Sequence, residues 1–294
     1  MKASELPLAP DGSLYHIRLT SSTLADKVLL VGDPERVNMF KDIFDTIEFE
    51  SHNREIHALT GSYHGTRLTA LSTGMGCDNI DIVMTELDAA LRVENGKWNA
   101  DSDRHLQLVR IGTSGSLQPN IDCGSYVASR YAIGLDGLMN YYKEWSEACS
   151  QWSEMEEAFI KHLSSPFTSH LSPFARPYCV AGSKLLLDKI AFDMHHGITA
   201  TAPGFYGPQG RTVRLHPAID NLNEKLAEFR IPNSELRVTN LEMETSAIFG
   251  FSHLLGHEAL TVCLIIANRP KGTFLSDYHA PMLHLVGTVV ERLT

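Results

Sequence analysis

A chain of 294 residues, 43% hydrophobic and 20% charged, has the usage of an ordinary globular protein and enough length to bury a real core. Its formal net charge is −10 with no basic run, which argues against nucleic acid or an anionic membrane as main partner but leaves room for a small anion held by a few arginines. The five cysteines (Cys77, Cys123, Cys149, Cys179 and Cys263) are odd in number and show no C-x-x-C spacing, so neither a disulfide framework nor a zinc site is expected. The N-terminal stretch MKASELPLAPDG lacks an apolar signal core, and no run of about 18 apolar residues occurs; a reduced, cytoplasmic protein is the expectation.

In chain order, KVLLV (27–31) reads as a strand that passes through Gly32-Asp33-Pro34 into a helix starting near Glu35. REIHALTGSYHGTRLTALSTGMG reads as two strands joined near His64-Gly65. Further strands are predicted at 105–112, 125–134, 177–183, 236–243 and 259–268. Helical patterns fall at 79–95, 140–163, 184–194, 219–229, 244–256 and 279–293. Strands alternating with helices predict an α/β fold: a central mixed, mostly parallel sheet flanked by helices on both faces. No linker, repeat or low-complexity tract interrupts 1–294, so one domain is expected, with 140–170 as a helical insertion presenting much exposed surface.

Six stretches carry chemistry. VGDPER (31–36) joins a strand to a helix with Arg36 in its first turn; free N–H groups plus an arginine suit an anion, though a plain β–turn–α connection has the same look. STGMGCDN (72–79) has Gly74-x-Gly76 after a strand, but the third glycine of a dinucleotide fingerprint would fall on Asn79 and no acidic residue follows on a second strand, so that reading is rejected. Asp78 or Asn79 is expected to cap the next helix. VRIGTSG places Arg110 in an apolar strand, where either a carboxylate or a bound anion must compensate it; Thr113 follows at the strand's carboxyl end, where open α/β sheets bind ligands.

GFYGPQGR (204–211) sets the rings of Phe205 and Tyr206 beside Gln209 and Arg211, which suits either a surface loop or the wall of a pocket for a flat, polar, anionic ring. NLEMETSA puts Glu242 and Glu244 around Met243 where a strand becomes a helix; the pair serves equally for vicinal sugar hydroxyls or as acids favoured by the helix dipole. IIANRPKG brings Asn268 and Arg269 to the end of a very apolar strand. The histidine pairs 195/196, 52/57 and 253/257 form no H-E-x-x-H motif and read as structural or surface residues. No Gly-x-Ser-x-Gly elbow supports a serine hydrolase.

Taken in order, GDPER, STGMG, RIGTSGSLQP, GFYGPQGR, NLEMETSA and IIANR resemble the series found in the nucleoside phosphorylase family, over nearly the whole chain from His16 to the last helix. The Phe-Tyr-x-x-Gln-x-Arg element resembles its pyrimidine branch. The resemblance implies a pentosyltransferase that converts uridine, or deoxyuridine or thymidine, and phosphate reversibly to uracil or thymine and the (deoxy)ribose 1-phosphate. It implies a phosphate site of Gly32, Arg36, Arg110 and Thr113, with Arg54 reaching in from a neighbouring subunit. His16 would cross the same interface toward the ribose 5′-hydroxyl. Met243 and Glu244, with Glu242, would hold the ribose. Phe205, Gln209 and Arg211 would hold the base, lined by Ile266 and Ala267 and braced by Arg269. Arg211, Gln209, Arg36 and Arg110 are the residues on which catalysis would rest.

The resemblance also implies a homo-oligomer with shared sites, at least a dimer and up to a hexamer. It implies no cofactor beyond phosphate as co-substrate, and in bacterial relatives a monovalent cation, here near Glu55, Met75 and Asn79. Three departures stand out. GCDNID replaces a Gly-Pro-Ser-like run, so that Asn79 stands in place of a serine. Gly207-Pro208 inverts the usual Pro-Gly order, and 140–170 is inserted. The purine branch carries an aspartate after the last core strand; here that stretch reads Ala267-Asn268-Arg269. A purine phosphorylase or a nucleoside hydrolase on the same fold, or a non-catalytic nucleoside-binding relative, are the competing readings.

Overall fold

The computed structural model describes residues 2–94, 97–99, 102–163 and 175–294. Strand β1 (Lys27–Val31) is the predicted KVLLV run, buried along nearly its whole length. It leads into α1 (Pro34–Val37), whose first turn is capped by Asp33 accepting from the Glu35 N–H at 3.0 Å. Pro34 occupies a position where a missing N–H costs nothing. Strands β2 (Thr46–Asn53), β3 (Ile56–Tyr63) and β4 (Thr66–Ser72) form an antiparallel meander, and the expected turn at His64-Gly65 takes positive φ at both residues. Strand β2 is absent from the sequence-based reading because TIEFESHN is a polar edge strand with most side chains exposed.

Helix α2 (Cys77–Arg92) follows, then a small ribbon of β5 (Val93–Glu94) and β6 (Lys97–Trp98). Gly76, not Asp78 or Asn79, is the N-cap of α2, and no side chain caps it; those two residues lie inside the helix. Strands β7 (Gln107–Ser116) and β8 (Tyr126–Gly134) come next. The predicted helix 140–163 is broken: 3₁₀ turns at Leu138–Tyr141 and Cys149–Trp152 flank a short α3 (Trp145–Ala148), and only α4 (Ser153–Leu163) is a helix of several turns. It is less exposed than expected, since Trp145, Phe159 and Leu163 are buried. Residues 164–170 of the expected insertion lie outside the described residues.

The remainder runs β9 (Tyr178–Ala181), α5 (Lys184–Ile190), β10 (His195–Thr201), α6 (Leu222–Glu228), β11 (Val238–Glu242), α7 (Thr245–Leu255), β12 (Glu258–Asn268), β13 (Thr273–Phe274) and α8 (His279–Leu293). Strand β10, HHGITAT, also escapes the sequence reading. It is polar and small, but its buried hydroxyls find polar partners on neighbouring strands: Thr199 donates to Asn240 at 2.9 Å and shares a 2.5 Å hydrogen bond with Ser129.

The eleven-stranded sheet is mixed. Parallel pairs join β1 to β4 and β7, β7 to β12, and β10 to β8 and β11. Antiparallel pairs link β12 to β8 and β11 to β7, so that β7, β12, β8, β10 and β11 close into a ring. Helices α2 and α7 cover one face through Ile80, Val83, Leu87, Ile248 and Phe249. Helices α5 and α8 cover the other through Leu186, Ile190, Leu285 and Val289. Each such side chain contributes about 1.5–3 kcal/mol on full burial. Among the described residues no helix is long and apolar enough to cross a membrane.

Candidate active site

The strand order delivers the carboxyl ends of β1, β4, β7 and β12 to one side of the sheet, the place where open α/β sheets leave a crevice. A cleft of about 1000 Å³ lies there. Of the large hollows among the described residues, about 1000 and 950 Å³, this one gathers the predicted positions. Gly32, Arg36, Arg110 and Thr113 line it together with Glu242, Met243 and Glu244. Phe205, Gln209, Arg211, Ile266, Ala267 and Arg269 line it as well.

Arg110 settles the question its apolar strand raised. It is 4% exposed. Its Nη2 donates in a very short contact to Glu244, and its Nη1 lies 3.3 Å from Glu242. Burial works against its charge, yet Glu244 and Glu242 outweigh that and hold the guanidinium above its ordinary value. The side chain folds back along its own strand, over Gly112. Residues two apart share a strand face, and a methyl group at Gly112 would stand 2.7 Å from the Arg110 Cζ. The glycine of RIGT is thus the space in which the guanidinium lies.

The two glutamates divide their work. Glu242 accepts from the N–H groups of Glu244 (2.9 Å) and Thr245 (3.0 and 3.1 Å) and from the Thr201 hydroxyl (2.7 Å). It caps α7 and has little capacity left for a ligand, so the dipole-favoured reading holds for this residue. Among the described residues Glu244 accepts from Gly76 N–H, at 2.7 Å, and from Arg110. Burial raises its pKa, Arg110 opposing and Glu242 reinforcing. Of the pair, Glu244 is the carboxylate able to take a further partner.

Arg36 enters from the first turn of α1. Burial and the nearby Arg110 pull its pKa below the ordinary value, with Tyr278 and Asp33 opposing. Among the described residues no carboxylate forms an ion pair with it. The Nε atoms of both Arg36 and Arg110 are buried without a hydrogen-bond partner. Arg110 is balanced by Glu242 and Glu244, so the cation of this cleft end without a carboxylate partner among the described residues is Arg36, and an anion between the two guanidiniums would satisfy its charge and their unused donors.

At the far end, residues 204–211 make a tight turn. Gly207–Gln209 is one 3₁₀ turn, closed by Gly210 N–H to Gly207 C=O (3.0 Å) and Arg211 N–H to Tyr206 C=O (2.9 Å). Gly210 takes φ +67°, whereas Gly207 needs no positive φ. Pro208 sits in the first turn, where its lost N–H is immaterial. The inverted Gly207-Pro208 order therefore costs this backbone nothing. Gln209 is buried, and its Oε1 accepts from Arg211 at 2.6 Å. The Arg211 guanidinium lies 3.8 Å from the ring centroid of Phe205, a cation–π contact on a ring that is 51% exposed.

Arg269 donates to the Gln209 carbonyl at 3.4 Å. It makes no hydrogen bond to Arg211 but repels it. Asn223, a residue the motifs did not indicate, completes the brace. With its amide oxygen toward Arg269 it accepts at 2.9 Å and donates to the Gln209 carbonyl at 3.3 Å. Asn268 is occupied elsewhere, donating to Gln118 and Ile121 carbonyls at 3.0 and 2.8 Å. The cleft residues from 205–211 and 266–274 include no carboxylate. Ile266 is the extra residue of a bulge where the β12–β7 register shifts between Ile265 and Ala267; bulges re-aim side chains beside functional sites.

Two predicted residues lie apart. Arg54, exposed at the β2–β3 turn with φ +56°, does not line the cleft of its own chain. His16 does not either; its ring lies 2.5 Å from Glu86. They share a neighbour, since Asn53 donates to the carbonyls of Tyr15 and His16 at 3.0 and 2.9 Å. Glu55, Met75 and Asn79 do gather, packed about Gly74 at the cleft's rim. Asn79 turns its Nδ2 to the Met75 carbonyl at 3.2 Å.

Residues 26–281 match the family described as the phosphorylase superfamily. The uridine phosphorylase of Thermococcus kodakarensis is 28% identical, over 92% of this chain and 83% of its own. A purine nucleoside phosphorylase of Alkaliphilus metalliredigens is 26% identical over 85% of each chain. Among solved structures, a Trypanosoma brucei nucleoside phosphorylase that shows uridine phosphorylase activity superposes with a TM-score of 0.84. It is 30% identical and is covered over 99%, with 98% of this chain. With this fold and this cleft, the chain belongs to the phosphorylase superfamily.

Proposed function

We propose that the chain catalyses the reversible phosphorolysis of uridine to uracil and ribose 1-phosphate. The observation that carries the reading is the two-ended cleft. One end has buried guanidiniums with unused donors, Arg36 and Arg110. The other has an amide and a guanidinium on an aromatic ring, with no acid beside them.

Phosphate, the co-substrate, is held by Arg36, Arg110, Thr113 and the turn at Gly32, with Arg54 of a second copy closing over it. Glu244 and Met243 orient the ribose, and His16 of the second copy faces its 5′ end. Held beneath C1′, the phosphate attacks as the glycosidic bond stretches, and positioning supplies much of the rate. Negative charge collects on the departing uracil. Gln209 pairs with its imide edge, and Arg211 donates to the carbonyl oxygen where the charge gathers. That is electrostatic stabilisation of a developing anion, without a general acid. A leaving purine calls for a proton donor, and the base end offers none, which favours the pyrimidine reading over the purine one. The shared residues make the working unit at least a dimer, and the chain acts as one domain with no cofactor.

The test is direct. Uridine, deoxyuridine, thymidine and inosine are each incubated with the protein, with and without phosphate, and free base is followed. Phosphate-dependent release of uracil is expected; release that ignores phosphate, or that favours inosine, would sink the proposal.

A further inference from the structure

We propose that the β2–β3 hairpin carries a binding site for one divalent transition-metal ion, zinc above all, formed by Glu50, His52 and His57. Successive strand side chains alternate between faces, so Glu50 and His52 share one face of β2. The antiparallel register sets His57 of β3 directly opposite His52. Three donor groups thus meet on one patch, their ligand atoms all within 4.8 Å of one another. The Nε2 atoms of His52 and His57 lie 3.1 and 2.9 Å from Glu50 Oε1. A tetrahedral ion with ligands at about 2.0–2.1 Å spaces its donors about 3.3 Å apart, so small movements suffice to admit it.

The second nitrogen of His57 strengthens the case. Its Nδ1 lies 3.2 Å from the Pro34 carbonyl. A carbonyl only accepts, so Nδ1 is the donor to Pro34 and Nε2 is the nitrogen turned toward the cluster, where it faces the acceptor Glu50 Oε1 at 2.9 Å and an ion would take the place of the hydrogen shared there. An imidazole backed by a carbonyl in this way is the common outer arrangement of metal-binding histidines. His57 is 1% exposed and fixed, and His52 stacks on it with centroids 3.7 Å apart. Two imidazoles and one carboxylate suit zinc, cobalt, nickel or copper rather than magnesium or calcium.

Lys41 also reaches Glu50 Oε1, at 2.6 Å, from a half-exposed position. It is a flexible cation that can swing into solvent when an ion arrives. The site would tie the hairpin to the turn that starts α1, and so to Arg36. The hairpin's tip, two residues beyond His52, is Arg54.

The experiment uses the untagged full chain, stripped with a chelator and dialysed against zinc chloride or cobalt chloride. One ion per chain is expected, with the visible spectrum of tetrahedral cobalt and a Tm that climbs with zinc concentration. His52→Ala, at an exposed position, should weaken zinc binding roughly tenfold or more and abolish the Tm response. Glu50→Gln, a second variant checked for native circular dichroism, should do the same. His195→Ala, an exposed histidine on β10, should bind as the parent does. No stoichiometric uptake, or uptake and a cobalt spectrum unchanged in both cluster variants, would overturn the proposal. The readout is metal uptake, so it stands or falls separately from phosphorolysis.

Discussion

Replacing Gly112 by alanine should disable the cleft although Gly112 contacts no substrate. A methyl group there stands 3.0 Å from Nη2 of Arg110 and 2.7 Å from Cζ, and ordinary contact begins near 3.4 Å. The guanidinium must retreat by about an ångström or the strand must shift. Glu242 and Glu244 hold it in place, and its side chain is only 5% exposed. Fully breaking a buried pair costs about 3–5 kcal/mol. A retreat that loses the Nη1–Glu242 contact and keeps Nη2–Glu244 costs about half of that, about 2 kcal/mol. For a protein of this size such a loss lowers Tm by roughly 4–8 °C. If Arg110 holds phosphate as proposed, a displacement of this order should lower kcat/KM about 100-fold. Steady-state phosphorolysis of uridine and thermal melts followed by circular dichroism measure both effects. The decisive control is the Arg110→Ala background, where the added methyl meets no guanidinium and the further loss should vanish, a coupling of about 2 kcal/mol. Wild-type kcat/KM and Tm in Gly112→Ala would refute the reasoning, as would a penalty that survives removal of Arg110.

Arg211→Ala should lower kcat on uridine about 10²–10³-fold and leave the KM for phosphate unchanged; equal loss of both would count against placing Arg211 at the base. Arg54→Ala and Arg211→Ala chains, each inactive alone, should regain activity when co-expressed, because a mixed pair rebuilds one intact site; an active isolated monomer would contradict this. Burial pushes the His257 pKa down to about 4 from 6.5, with Asp88 opposing. The unfolded chain therefore binds more protons between those values. Stability is full above about pH 6.5 and falls as pH drops toward 4, by up to about 3 kcal/mol. Urea midpoints across that window should show the slope, and His257→Phe should remove it; matching slopes would refute the assignment.

Much of the site was legible because its groups announce a cost. An arginine in the apolar run LVRIG demands compensation wherever it lies, and the structure supplies Glu242 and Glu244. The strands at 27–31 and 259–268 were legible as apolar runs. Less readable were features whose cause is tertiary. Strands β2 and β10 carry no apolar run. One is an exposed edge, and the other is satisfied by Ser129, Thr199 and Asn240 rather than by hydrophobic burial. The bulge at Ile266 exists only in the pairing of β12 with β7. Asn223 braces Gln209 from 14 residues away in sequence, a distance no local pattern spans. The unequal roles of Glu242 and Glu244 rest on who donates to each, which a sequence of two alternating acids does not reveal.

On the proposed reaction, the cleft end that holds Arg211 also accounts for how a site without an acid would favour a leaving anion. Burial pulls the Arg211 pKa down to about 10, and the neighbouring charge of Arg269 adds to it. Arg211 still carries its charge at neutral pH, but at a cost. Arg269 is itself held below its ordinary value by burial, with Glu224 opposing. Two partly buried cations thus face one cleft wall with no carboxylate among the wall's residues. A neutral uracil ring does little to relieve that repulsion, whereas a departing uracil anion relieves it directly. On the proposed reaction, the interaction therefore strengthens as the bond breaks, which is the condition for accelerating a step rather than merely binding its substrate. Arg269→Met should then raise the Arg211 pKa yet lower kcat. A variant with unchanged kcat would mean that Arg269 serves only to brace the loop.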